Sequence, residues 1–157
     1  MAEQISSFFT IDMIYLWLNI GIIPFWFVLI FFPNSKICSV FVSSIFPIFI
    51  LSLIYLYLVY FFYVTGYDFG QNFSLYLSLD SLNQLFNEKA FLIIFWTHFI
   101  AINLFCGSWI VSDSRKFSMS KILVFFPLVI TYFIGPLGVF IYWLIRIFFA
   151  KKISLYD

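Results

Sequence analysis

Charged residues make up only 10% of this 157-residue sequence, 8 Lys and Arg against 7 Asp and Glu. A soluble domain carries about 25%, so water is excluded as the main solvent of this surface. The formal net charge of +1 leaves no field to draw in nucleic acid or an acidic partner. Histidine occurs 1 time, too few for the histidine-rich cluster of a membrane di-iron enzyme. The 2 cysteines, Cys38 and Cys106, form neither a disulfide framework nor a zinc-ligand spacing. They are read as free thiols in apolar surroundings. No glycine-rich phosphate loop is present. Metal oxidation and nucleotide hydrolysis are set aside, and no metal or cofactor is expected.

What the chain has in quantity is apolar surface: 64% hydrophobic residues, 25% aromatic, and a mean hydropathy of +1.09. Crossing about 30 Å of hydrocarbon takes roughly 20 apolar residues in helix. Four segments qualify, over 11–32, 40–63, 91–111 and 122–149. Pro33-Asn34-Ser35-Lys36 stops the first, Thr65-Gly66-Tyr67-Asp68 the second, and Asp113-Ser114-Arg115-Lys116 the third. Pro24, Pro47, Pro127 and Pro136 fall inside spans, where neighbouring helices satisfy the freed carbonyls. The halves of the last segment on either side of Gly135-Pro136-Leu137-Gly138 are each too short to cross, which predicts one long, kinked helix.

Between the second and third spans, 73–88 places Leu75, Leu79, Leu82 and Phe86 at helical spacing among polar residues. Ser78 or Asp80 is positioned to cap it. A short amphipathic helix in the membrane interface fits, although 73–80 also alternates as a strand would. The predicted fold is therefore all-α, a polytopic integral membrane protein of one domain. It has four transmembrane helices and a short interfacial amphipathic helix before the third, with membrane lipid as its first partner. Met1–Thr10 carries Glu3 and no Lys or Arg, unlike a secretory signal. With four spans, Lys36, Arg115, Lys116 and Lys121 oppose Lys89, Arg146, Lys151 and Lys152, and the charge rule for orientation ties.

Ionisable side chains within spans are functional suspects. His98 lies well inside the third span. At 100° per residue, Cys106, Trp109 and Asp113 fall within a quarter-turn of it, and Trp96, Asn103 and Gly107 share a second face. His98 reads either as a proton donor and acceptor or as a neutral imidazole bonded across the bundle. Gly107 permits close helix approach, and Asn103 suits a bond across it. Arg146 reads as snorkelling to the headgroups, and Asp113, Arg115 and Lys116 as a solvated interfacial cluster. Asp12, Asp80 and Glu88 stand at helix entrances, where a carboxylate favours the dipole. No carboxylate or arginine sits at mid-span, which argues against an ion pump.

These residues also resemble a family. Trp96-Thr97-His98, Asn103-Leu104-Phe105, then Gly107, Trp109 and Asp113 are similar to the signature of the abscisic-acid-deficient-four-like family of plants, algae and bacteria. Pro24-Phe25-Trp26, Phe32-Pro33-Asn34, Ser81-Leu82 to Phe86, and Gly135-Pro136-Leu137-Gly138 with Arg146 follow its remaining segments in order. The resemblance implies carotenoid or isoprenoid metabolism, since in plants the family is tied to isomerising violaxanthin to neoxanthin. It implies a lipid-soluble ligand between the third and fourth spans, with His98 and Asp113 catalytic. Trp96, Asn103, Gly107, Trp109, Tyr132 and Arg146 would bind ligand. Asn103 stands where the family usually has aspartate, and Ser108 departs from a frequent arginine. An amide cannot exchange protons as a carboxylate does. The alternative is a non-catalytic subunit that binds pigment or scaffolds a membrane partner. The expected location is a bacterial inner (plasma) membrane.

Overall fold

A computed structural model describes residues 10–151, and every regular element among them is helical. The readings made for Met1–Thr10 and for Lys152 lie outside the described residues, Thr10 excepted. We number the α-helices α1 Ile11–Phe31, α2 Phe46–Val64, α3 Leu79–Phe86, α4 Lys89–Lys116, α5 Lys121–Phe133 and α6 Gly135–Ala150. Ile11–Phe31, Cys38–Val64 and Lys89–Lys116 are long and apolar enough to cross a membrane. These are the first three predicted spans.

The second of them is interrupted near its start. A π-helical turn over Cys38–Val42 gives way to bends at 43–45 before α2 begins. Pro47 is the second residue of α2, where a missing backbone donor costs nothing. The amide of Phe46 is met by Ser44 Oγ at 3.2 Å. This proline marks a restart of the helix, not a kink within it.

The segment before the third span is a 3₁₀ helix, Phe69–Tyr76, followed by α3. The strand-like alternative for 73–80 is thus excluded. Ser78 caps α3, its Oγ accepting from the Ser81 amide at 3.1 Å. Leu85 is buried, Leu82 and Phe86 are half-buried, and Leu79 is exposed. Burial raises the Tyr67 phenol above its ordinary value, and its hydroxyl donates to Asn72 Oδ1 at 2.7 Å.

The chain forms two compact units, one from 1–20 with Phe49–Ile100 and one from Gly21–Ile48 with 101–157. In the first, Phe86, Phe91 and Phe95 stack and edge onto one another with centroids 4.9–6.2 Å apart. In the second, α5 buries Val124, Pro127, Leu128 and Thr131, and α6 buries Gly135, Gly138, Tyr142 and Arg146. Each set is one helical face.

The predicted fourth span is corrected here: 122–149 is two helices that fold back on each other. A Cβ on Gly138 would stand 2.6 Å from the Cα of Thr131, whereas seven residues of continuous helix separate two positions by about 10.5 Å. Ile134 is the pivot, at φ −139 and ψ 81. Its amide closes α5 on Ile130, and its carbonyl accepts from the Leu137 and Gly138 amides that open α6. Pro136 sits in the first turn of α6, where its fixed φ favours a helix start. With 13 and 16 residues, the arms reach about 20 and 24 Å. The hairpin needs no crossing because each arm satisfies its own backbone. In a cysteine-free background, Lys121→Cys and Lys151→Cys are expected to react with a membrane-impermeant maleimide from the same side of sealed vesicles. Labelling from opposite sides would restore the single spanning helix.

Candidate functional site

Within the second unit, α4 brings Asp113 against the far end of α6. Asp113 Oδ2 accepts from Arg146 Nε at 2.6 Å and from the Tyr142 hydroxyl at 2.7 Å, and Oδ1 faces Arg146 Nη2 at 3.4 Å. Arg146 is 2% exposed and Asp113 3%. The Arg146 guanidinium also lies over the Phe117 ring at 5.0 Å and near Trp143 at 5.7 Å. Trp109 meets Tyr142 edge to face, with centroids 5.5 Å apart. Neither the snorkelling reading of Arg146 nor the solvated reading of Asp113 survives. Both charges are enclosed and paired, which is how an ion survives out of water. The carboxylate is committed to two donors, so its evident work is to hold α6 onto α4.

The pair also tests the hairpin independently. Lys121 and Arg146 are 25 positions apart, about 37 Å in one continuous helix. Such a helix would carry Arg146 far from Asp113, which lies near the end of α4 that leads into Lys121. The 2.6 Å ion pair requires the chain to return.

Asn103 is 4% exposed and lies against Gly135 at the start of α6, where an added Cβ would meet its Cγ at 3.0 Å. Its Nδ2 is buried with no hydrogen-bond partner among the described residues. The other buried polar side chains are committed: Thr97, Ser114 and Thr131 donate back to their own helices. Gly107 receives Trp26, whose ring atoms would lie 2.7 and 2.9 Å from a Cβ there. Tyr132 packs edge-on to Trp26 at 5.4 Å. The structure thus groups Asp113, Arg146 and Trp109, and separately seats Asn103 on Gly135 and Gly107 under Trp26.

His98 and Trp96 belong to the first unit. His98 is exposed, with no partner among the described residues. Trp96 donates from Nε1 to Asn19 Oδ1 at 3.3 Å and stacks on Phe99 at 5.3 Å. It lines a cavity of about 390 Å³ with Ile11, Tyr15, Leu92 and Ile93, and Asp12 and Lys89 stand in the same lining. Two residues from Trp96, His98 points about 200° away around the helix, off the cavity face.

Sequence reasoning missed Asp12, Tyr15 and Lys89 as lining residues. Asp12 was read as a helix-entrance charge and Lys89 only as a charge for orientation, and only the pairing of α1 with the start of α4 puts them at one cavity. No group of three or more His, Cys, Asp or Glu side chains that could hold a metal occurs among the described residues. Cys38 and Cys106 are free thiols.

No curated protein and no solved structure matches the chain. A family model does, over residues 13–142, from the third residue of α1 to Tyr142 of α6. Three membrane-length helices and that match have one conclusion: the chain is a membrane protein of the ABA DEFICIENT 4-like family.

Proposed function

We propose that the protein acts on, or holds, a carotenoid or related isoprenoid, with the ligand's ring seated in the cavity of the first unit. The observation that carries this reading is the cavity itself: about 390 Å³, walled by Ile11, Tyr15, Leu92, Ile93 and Trp96, with a carboxylate and an ammonium in its lining. Apolar walls with a few placed polar groups are the usual form of a small-molecule site. Opening an epoxide takes an acid for its oxygen and a base for a neighbouring proton. Asp12 and Lys89 offer one of each beside the cavity, and His98, exposed on the same helix, offers a proton exchanger to a ligand lying along its surface. Asp113, bound by Arg146 and Tyr142, holds α6 onto α4 and takes no proton in this scheme.

A second reading, a pigment-binding or scaffolding subunit without chemistry, draws on Asn103. An amide stands where the resembled family usually has a carboxylate, and Asp113, the one buried carboxylate among the described residues of the second unit, is spent on Arg146.

Chromatography and mass spectrometry of pigments separate the two. The full chain is produced in a bacterial host that makes several epoxy-carotenoids, beside Asp12→Asn, His98→Ala and Asn103→Asp. A new carotenoid that falls at least tenfold with Asp12→Asn or His98→Ala supports chemistry and names its group. An unchanged profile with all variants inserted, and pigment co-purifying with the chain, supports the subunit. An unchanged profile with no pigment bound overturns both.

A further inference from the structure

The second unit contains a second cavity, of about 520 Å³, unlike the first in chemistry. Asn34, Ser35, Lys36, Ser39, Arg115 and Ser118 line it, and no carboxylate does. It sits where α1 has just ended and α4 is ending. Arg115 is half-buried and fixed, one Nη donating to the carbonyl of Pro33. Its Nε is buried and has no hydrogen-bond partner among the described residues, so part of a guanidinium is held out of water with a donor unspent. A donor in that state is costly unless something accepts from it. Lys36 forms no ion pair among the described residues. The nearest carboxylate in sequence, Asp113, is already taken by Arg146. Two cations therefore share a polar cavity with no anion among the described residues to neutralise them.

Asn34, Ser39 and Ser118 add neutral donors with no partner among the described residues. Ser118 owes its place to a left-handed backbone, φ 51, which ends α4 and turns the chain beside the cavity. Ser35 is otherwise engaged, donating to the Phe32 carbonyl at 2.9 Å and accepting from the Cys38 amide at 3.0 Å. The unspent donors of Arg115, a lysine and hydroxyls in one concavity match the oxygens of a phosphate group, which spreads negative charge over several acceptors.

We propose that this cavity binds a phosphate group, and that its source is the headgroup of an anionic membrane lipid. The lipid source follows from what borders the cavity. Phe31, Phe32, Ile37 and Val40 are large, apolar and exposed beside it, a surface that acyl chains would cover while the headgroup reaches Lys36 and Arg115. The site is independent of the ring cavity and of the chemistry proposed there.

The test is a titration of the purified full chain in neutral detergent, read as the rise in its thermal midpoint, since a ligand that binds only the folded state stabilises it. The probes are phosphatidylglycerol, phosphatidylcholine and sodium orthophosphate. Phosphatidylglycerol is expected to stabilise the wild type at far lower concentration than phosphatidylcholine. Lys36→Gln should weaken the response about fivefold and Lys36→Gln/Arg115→Gln about 25-fold, following the usual worth of each basic residue near an anionic lipid. Lys36 is exposed and makes no hydrogen bond or ion pair among the described residues, so its variant reads binding even if loss of the Arg115–Pro33 contact unsettles the double variant. A response to orthophosphate that falls by the same factors would keep the phosphate site and assign it to a soluble source. Equal responses in wild type and Lys36→Gln to every probe would overturn it.

Discussion

Arg146→Met is expected to cost the folded chain about 3–5 kcal/mol, the largest loss of any single substitution considered, because it strands Asp113 as an uncompensated buried charge. Asp113 is 3% exposed and its two oxygens face Arg146 and Tyr142. Removing the guanidinium leaves only the tyrosine hydroxyl to solvate a carboxylate. Asp113→Leu should also destabilise, since it takes the carboxylate from a buried guanidinium that lies over Phe117 and near Trp143. Replacing both, in Asp113→Leu/Arg146→Met, should recover most of the loss, because a well-packed apolar pair can equal a buried ion pair. Tyr142→Phe removes one hydrogen bond to a charged group and should cost about 1.5–3 kcal/mol. Unfolding in mixed micelles, followed by tryptophan fluorescence, gives all four values. Single variants that lose less than about 1 kcal/mol would mean that the pair is not desolvated.

Gly138→Ala should lower stability by about 1–3 kcal/mol, the range for overpacking, and Gly138→Leu should open the hairpin altogether. The added methyl would fall 2.6 Å from the Thr131 Cα, and what it meets is backbone, which cannot turn aside as a side chain can. Thr131 is itself fixed, its hydroxyl donating to the Pro127 carbonyl at 2.7 Å. Gly21 is the control. Nothing lies within 4 Å of a Cβ there, and alanine in a helix interior is favoured over glycine by about 1 kcal/mol. Thermal midpoints of the two alanine variants should move in opposite directions. A Gly138→Ala chain as stable as wild type would contradict the close approach of α5 and α6.

How far the sequence reaches can be judged on particular residues. Ile11–Phe31 and Lys89–Lys116 were legible because length and hydropathy alone decide a spanning helix. The third span runs five residues beyond its predicted end at 111, because Asp113, taken for solvated, is buried, as is Ser114 beside it. The hairpin was not legible from hydropathy, since two apolar arms read in sequence like one apolar helix. The better signal was Gly138, Tyr142 and Arg146 at four-residue intervals, one face ending in a cation, with Asp113 as the one carboxylate near enough in type and depth to meet it. His98 and Asp113 share a helical face by angle, yet one is exposed and the other buried. Periodicity gives the direction of a side chain; it does not say which neighbour covers each stretch of the helix, and here α6 covers Asp113.

The doubling back at Ile134 also settles a tally that four crossings leave even. With α5 leaving and α6 returning, Lys121 and Lys151 lie at the same end of their unit as Arg115 and Lys116, and Lys36 shares a cavity with Arg115. Arg146 no longer counts, being neutralised by Asp113. Lys89 alone of the described basic residues stands apart, at the opposite end of the 28-residue α4. Basic residues next to spans are retained on the cytoplasmic face during insertion. By that rule the hairpin turns the basic residues at this end of the second unit into one positive margin, which a single long helix would have divided between two ends.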